Sequence, residues 1–277
     1  MLKLSRAWHL FPLLATIVML ISCGKQNEGC TDPKASNFDV SADKNCCCKY
    51  PKFILEFSFQ HDKVSYNYGA VSKPADTLED AGQNSFRVNE IKFMFSDFVF
   101  HSLAQSDKYF DKRIKFYLKN NEDSVLSVDD YVNPSFSKTD FEAFTLNSEQ
   151  TFNSLEFTMG GGDSIGLINT YLLRNTSHSL YPKGNVLWDS LQMHYRAAYI
   201  SITTLPDSVV RKYYIDVPNS LKFQFNISGI KPKAGFDLNL LLKVNMNHLF
   251  NEISWHDDLE SVITEKLRTN LPEIFKD

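Results

Sequence analysis

Leu155-Glu-Phe-Thr-Met-Gly-Gly-Gly-Asp-Ser164 is the stretch on which the reading of the fold turns. Leu155, Phe157 and Met159 alternate with polar residues, the two-residue period of a strand with one buried face. The alternation stops at three glycines. Glycine permits positive φ and close backbone approach, so the pattern predicts an abrupt turn at the rim of a sheet. The next strand-like run is Ala198–Thr203. A loop that long inside a compact domain is functional or disordered, which makes this segment the first place to look for a site.

Working outward, Phe53, Leu55, Phe57 and Phe59 fall on one face of a predicted strand. In Phe86–His101, Ile91, Phe93 and Phe95 alternate, and Phe98 and Phe100 continue on the other phase. A bulge at Ser96-Asp97 reconciles the two phases. Further strands are expected at Ile114–Leu118, Lys212–Val217, Leu221–Ile227 and Leu238–Val244. The last two alternate throughout and read as half-buried antiparallel strands. Residues 62–85 and 120–150 read as polar connections. Asn247–Phe250 reads as a helical turn. Asp257–Arg268 reads as a helix with Asp257 and Glu260 as a capping box and an apolar stripe of Leu259, Val262, Ile263 and Leu267. Many short strands separated by turns predict an all-β fold, an antiparallel β-sandwich with short helices and one C-terminal helix. The 22 phenylalanines supply its core.

The N-terminus carries Lys3 and Arg6, then an apolar run from Leu10 to Ile21 that is too short to span a bilayer and has the layout of a secretory signal. It ends in Leu20-Ile-Ser-Cys23, which resembles the lipobox of bacterial lipoproteins. That resemblance implies cleavage before Cys23 and acylation of that residue, with an anchor worth about 0.8 kcal/mol per buried CH₂. The expected organisation is a signal peptide over 1–22, a lipidated Cys-rich spacer over 23–50 and a β-sandwich over 51–277. The expected location is the bacterial cell envelope, at the outer membrane. The formal net charge of −4 gives no basic face for nucleic acid.

Gly29–Tyr50 resembles the short Cys-Thr-Asp-Pro modules of secreted and surface proteins of Bacteroidetes. Export favours disulfides among Cys30, Cys46, Cys47 and Cys48. Cys30 is expected to pair with one of the other three, leaving a second bridge vicinal or absent, because adjacent cysteines bond each other under strain. Cys-x-x-Cys spacing is absent, against zinc. Asp32, Asn37, Asp39 and Asp43 read as turn residues in preference to calcium ligands.

Four further pieces carry a resemblance over residues 52–255: Phe57-Ser-Phe-Gln-His61, Lys92-Phe-Met-Phe-Ser-Asp-Phe98, Phe157–Ser164, and the late strand running into a Leu-Phe turn, Leu240–Phe250. In this order they resemble the MbnP-like copper-binding domain family. The resemblance implies copper held through histidine and a modified tryptophan, and a redox partner protein. The chain departs from the family pattern where a tryptophan-rich run is expected. Met193 and Tyr195 stand where tryptophans would sit, Ala198 replaces the glycine, and Trp188 lies upstream. A copper(I) set of His61, Met193 and His194 is the remaining expectation, since copper(I) is soft and accepts low coordination. His178 is a weaker candidate, and His101, His248 and His256 read as structural or solvated. The alternative is a surface scaffold or a glycan- or protein-binding lipoprotein with no metal site, using Trp188, Tyr181, Tyr195 and Tyr199 as an exposed aromatic patch. An enzyme is not expected. Nucleophile elbow, His-Glu-x-x-His and phosphate-loop motifs are absent; Asp163 and Asp189 could form a carboxylate pair, but Asp163 after the glycines reads better as a turn acceptor.

Overall fold

The computed structural model describes residues 26–69, 74–102, 106–119, 123–146, 151–161, 165, 168–217 and 220–276. The signal segment, Cys23, Asp163 and Ser164 lie outside them. The chain divides into two compact units, one ending at Tyr50 and one spanning Pro51–Asp277. Among the described residues no helix is long and apolar enough to cross a membrane.

In the small unit, Cys30 is bonded to Cys48, and Glu28–Gly29 pairs in parallel with Lys44–Asn45. Cys46 and Cys47 are free thiols, so the sequence expectation holds for Cys30 and a second bridge is absent. The polar residues serve the turns. Asp32 accepts the Lys34 N–H at 2.9 Å, Asp39 accepts the Ser41 N–H at 2.8 Å, and Asn37 accepts the Lys49 N–H at 2.7 Å. The Lys34 N–H bond holds the Asp32 carboxyl below its ordinary pKa, and the Ser41 hydroxyl, at 2.7 Å, with the Ser41 N–H does the same for Asp39.

The large unit is a sandwich. One layer has β1 (Lys52–His61) at its centre. β6 (Asp140–Thr145) pairs with it antiparallel, and β11 (Leu238–Asn245) pairs with it parallel. The other layer is built on β2 (Ser85–Phe93) and β3 (Phe95–His101), a nearly continuous strand broken at Met94. β7 (Ser154–Met159) joins β3 to β10 (Leu221–Asn226). β8 (Ala198–Thr204) joins β2 to β9 (Val210–Ile215). β4 (Arg113–Tyr117) and β5 (Ser124–Val128) form a separate hairpin. α1 (Met246–Leu249) and α2 (Glu260–Asn270) close the C-terminal end.

Phenylalanines meet between the layers. Phe53 packs on Phe100 at 4.9 Å between ring centroids, Phe57 stacks on Phe95 at 5.6 Å, and Phe59 stacks on Phe93 at 6.2 Å. Aromatic contacts of this kind add about 0.5–1.5 kcal/mol each to area burial. The bulge stands where the phase change in the sequence puts it. Ser96 faces Thr158 and Val99 faces Glu156, leaving Asp97 and Phe98 opposite Phe157 alone. Asp97 takes a φ of 57°, and Phe95, Phe98 and Phe100 are all fully buried.

Three sequence expectations are corrected. β11 runs parallel to β1, because alternation reports a half-buried face and carries no information on direction. Residues 120–150 contain β5 and β6, whose short runs are broken by polar residues. α2 starts without a side-chain cap; Asp257 instead accepts the Ser254 hydroxyl at 2.7 Å. Of the predicted stripe, Ile263 and Leu267 are buried while Leu259 and Val262 are exposed.

The glycine turn is bonded to the bulge. Gly160 donates its N–H to Met94 O at 2.8 Å, and its own carbonyl accepts the buried Ser96 hydroxyl at 2.9 Å. Its φ is 101°, while a Cβ placed there would meet no atom closer than Val217 Cγ2 at 3.7 Å. A substitution therefore strains the backbone without a clash. Gly160→Ala is expected to lower stability by about 1–2 kcal/mol, read as a shifted urea midpoint with an unchanged slope; an unaltered midpoint would contradict this role for the turn.

Candidate functional site: a cleft under the long loop

Strand alternation gives β2 two different faces. Ile91 and Phe93 point into the sandwich, so Lys92 and Met94 point the other way. Met94 is fully buried there, in a second apolar cluster with Phe116, Tyr131, Ile168, Leu180, Leu187, Tyr195 and Tyr199. The long segment after the glycines covers this cluster. It contains the short turn Thr170–Leu172 and a hairpin pairing Trp188–Asp189 with His194–Tyr195.

Several aromatics of this segment are therefore drawn into the cluster, while Tyr171 stays exposed. Tyr195 and Tyr199 are buried. The Tyr195 hydroxyl donates to Leu180 O, and burial pushes its pKa up. Trp188 packs on Tyr195 at 4.8 Å and donates its indole N–H to the Tyr171 hydroxyl at 3.1 Å. The expected exposed patch of Trp188, Tyr181, Tyr195 and Tyr199 does not form, because Tyr195 and Tyr199 are buried in the second cluster and Tyr181 and Trp188 are half-buried against it.

Each histidine of the predicted copper set has a carboxylate partner. His61, at the end of β1, has Nδ1 3.3 Å from the carboxylate of Asp62. His194 has Nε2 2.8 Å from Asp216 Oδ1, just beyond β9. Met193 sits at the tip of the small hairpin with a φ of 55° and is 48% exposed. Among the described residues no three or more His, Cys, Asp and Glu side chains gather in a group that could hold a metal ion. His101 and His256 also lie beside carboxylates. His101 lies between Asp107 and Glu156, each at 3.1 Å. The bond from Glu156, then that from Asp107, raises its pKa. His256 is 4.0 Å from Asp80 and Asp207. Asp189 is ion-paired with Arg196 and accepts the Leu191 and Gln192 N–H groups, which hold its pKa at about 2.

The fold assembles a cleft instead, between residues 129–138 and 175–185. Its walls are joined by buried polar bonds. The Ser179 hydroxyl donates to Tyr131 O at 2.6 Å. Asn133 and Asn185 both donate their amide N–H to Ser179 O, at 3.0 and 2.7 Å. His178 Nδ1 accepts the Leu180 N–H at 3.0 Å, so in the neutral ring the hydrogen is on Nε2, which bonds Asp129 Oδ1 at 2.8 Å. Lys112 Nζ forms an ion pair with the other oxygen of Asp129 at 2.5 Å. Burial opposes ionisation of Asp129, but the bonds from His178 and Lys112 outweigh it and hold the carboxyl below its ordinary pKa. With both ring nitrogens committed, His178 is a strut, not a metal ligand.

Two adjoining hollows, of about 370 and 270 Å³, share Lys138, Ser177, His178 and Ser179. The larger has Asp111, Asp129, Asp140 and Glu142 among its lining residues, with Lys112. The smaller is lined by Lys92, Lys138 and Lys183 with Asn133, Asn185 and several hydroxyls, and by no Asp or Glu among the described residues. These groups escape a sequence reading. The three lysines are far apart along the chain and follow no common period, and Asn133 and Asn185 sit in Asn-Pro and Gly-Asn pairs that read as turns.

No family model matches the chain, and no curated protein matches it in sequence. In structure it is similar to MbnP from Methylosinus trichosporium, at 12% identity and a TM-score of 0.41, over 74% of this chain and 79% of that one. At this identity and superposition it transfers no residue role.

One buried acid beside the cleft has a clear energetic consequence. Asp130 accepts the Phe98 N–H at 2.9 Å behind the bulge. Burial raises its pKa from 3.8 to about 6; the bond from Phe98 opposes the rise, and the nearby Asp97 and Asp129 charges add to it. The unfolded chain loses this proton first, so stability falls as pH rises from about 4 to about 6 and is level above. At about 1.36 kcal/mol per pH unit, the penalty at neutral pH is on the order of 3 kcal/mol. Asp130→Asn keeps the acceptor and removes the charge. It is expected to stabilise the protein by about 1–3 kcal/mol at pH 8 and to have little effect at pH 4. Urea unfolding of both forms at the two pH values checks this, and an equal difference at both would refute it.

Proposed function

We propose that the protein is a lipid-anchored component of the cell envelope, held at the outer membrane through Cys23, whose β-sandwich is a ligand-binding module and not an enzyme. The anchor rests on Lys3 and Arg6, the apolar run to Ile21 and Leu20-Ile-Ser-Cys23. The Cys30–Cys48 bond suits an exported chain. The binding role rests on one observation: the cleft presents Lys92, Lys138 and Lys183, which make no ion pair among the described residues, on walls tied by part-buried bonds. Rigid walls with uncommitted polar groups are the ordinary form of a ligand site. Copper, which the family resemblance implies, is left out of this reading because, among the described residues, no three or more His, Cys, Asp and Glu side chains gather in a group that could hold a metal ion.

Two measurements test this reading. Cells expressing the full chain are expected to incorporate a labelled fatty acid into the protein, with the label lost in Cys23→Ser; label retained in that variant removes the anchor. Copper(I) titration of the chain is expected to show no more binding than a control protein. Stoichiometric binding lost in His61→Ala or His194→Ala would restore the metal reading.

A further inference from the structure

The smaller half of the cleft has the makings of an anion site with a second, directional requirement. Its three ammonium groups come from different parts of the fold. Lys92 is on β2, and its backbone bridges to Ser135. Lys138 closes the turn that begins at Ser135, with backbone bonds of 2.9 and 3.2 Å. Lys183 is in the long loop, in a turn closed by Asn185 N–H to Pro182 O at 3.1 Å. Lys138 rests over the Phe141 ring at 4.9 Å. Burial, and then the like charges of Lys112 and Lys92, hold its pKa below the usual lysine value. Gathering cations is unfavourable in the empty protein; the Asp129 charge offsets only part of this at Lys138, and a bound anion relieves it.

Asn133 supplies the second requirement. It is 95% buried by its 5% exposure, and its amide N–H is used on Ser179 O. Its Oδ1 has no donor. A buried carbonyl oxygen needs a hydrogen-bond donor, and a bare anion has few to offer. The orientation of this amide follows from its partner: Ser179 O is an acceptor, so the side facing it must be the N–H₂ side. The site therefore asks for negative charge and a hydroxyl in one ligand.

We infer, building on the ligand-binding reading above, that this half of the cleft binds a single acidic sugar unit, with its carboxylate or phosphate among Lys92, Lys138 and Lys183 and a hydroxyl donated to Asn133 Oδ1. A hollow of about 270 Å³ is at the small end of ligand pockets, the size of one sugar ring and not a long chain. The adjoining half carries Asp129, Asp140 and Glu142. It repels a second negative unit and accepts hydroxyls, so an acidic unit next to a neutral one fits and a continuous polyanion does not.

The test is calorimetric titration of the full chain in detergent with glucuronate, glucose 6-phosphate, glucose and inorganic phosphate. Glucuronate or glucose 6-phosphate is expected to bind about tenfold or more tightly than glucose and than phosphate, and the tighter of the two identifies the anionic group. Lys92→Gln and Lys183→Gln, whose side chains make no ion pair among the described residues, are each expected to weaken that binding by about tenfold with thermal unfolding unchanged. Glucose binding as tightly as glucuronate, and insensitive to both substitutions but lost in Asn185→Ala, would overturn the acidic class and leave the cleft as a ligand site. Phosphate binding as tightly as glucose 6-phosphate would overturn the sugar part. No heat with any of the four probes would overturn both the acidic-sugar assignment and the reading of the cleft on which it rests.

Discussion

The bulge at Asp97 is the constraint on which the rest of the large unit depends. A regular strand from Ser85 to His101 would put Phe98 and Phe100 on the face opposite Phe93 and Phe95. One extra residue, in a left-handed conformation at Asp97, returns them to the same core. The three rings then meet Phe53, Phe57 and Phe157. Ser96, buried at the bulge, needs an acceptor and takes Gly160 O. The end of β7 is thereby fixed to the bend of β3. The turn that launches the long loop starts from this fixed point.

The opposite face of the same strand explains where the loop goes. Met94 and Lys92 alternate with the core phenylalanines and so face the loop. Met94 seeds a second apolar cluster that rings from the loop complete. This is why the aromatics from Tyr181 to Tyr199 are largely withdrawn from solvent. Once the cluster is covered, the backbone of residues 175–185 is held near residues 129–138 by bonds to Tyr131 O and Ser179 O. Apolar packing places the loop, and the polar bonds set the width of the cleft.

Charge in this region runs against stability. Asp130 is buried with a raised pKa, Lys138 has a lowered pKa beside other lysines, and Asn133 has an unpaired oxygen. Each is unfavourable by itself, and all three lie within one short connection between β5 and β6. Concentrated local conflict of this type marks functional sites more often than structural ones. By comparison, in the small unit Asp32 and Asp39 serve turns, while Asn27, Asn37 and Asn45 tie segments distant in the chain.

The strands with a clean two-residue period, the position of the bulge, the glycine turn and the participation of Cys30 in a disulfide were legible in the sequence. All of these follow from local pattern: alternation reports a buried face, a change of phase reports an inserted residue, and adjacent cysteines disfavour bonding to each other. It did not determine the direction of β11, since both directions bury the same face. It did not reveal β5 and β6, whose runs are too short and too polar to show a period. His61 and His194 stand out in the sequence as soft-metal donors, but each is held by the carboxylate the fold puts beside it, Asp62 and Asp216. The cleft was decided by tertiary structure alone. Lys92, Lys138 and Lys183 come from three segments far apart in the chain, and only the packing of the long loop over Met94 brings their charges together.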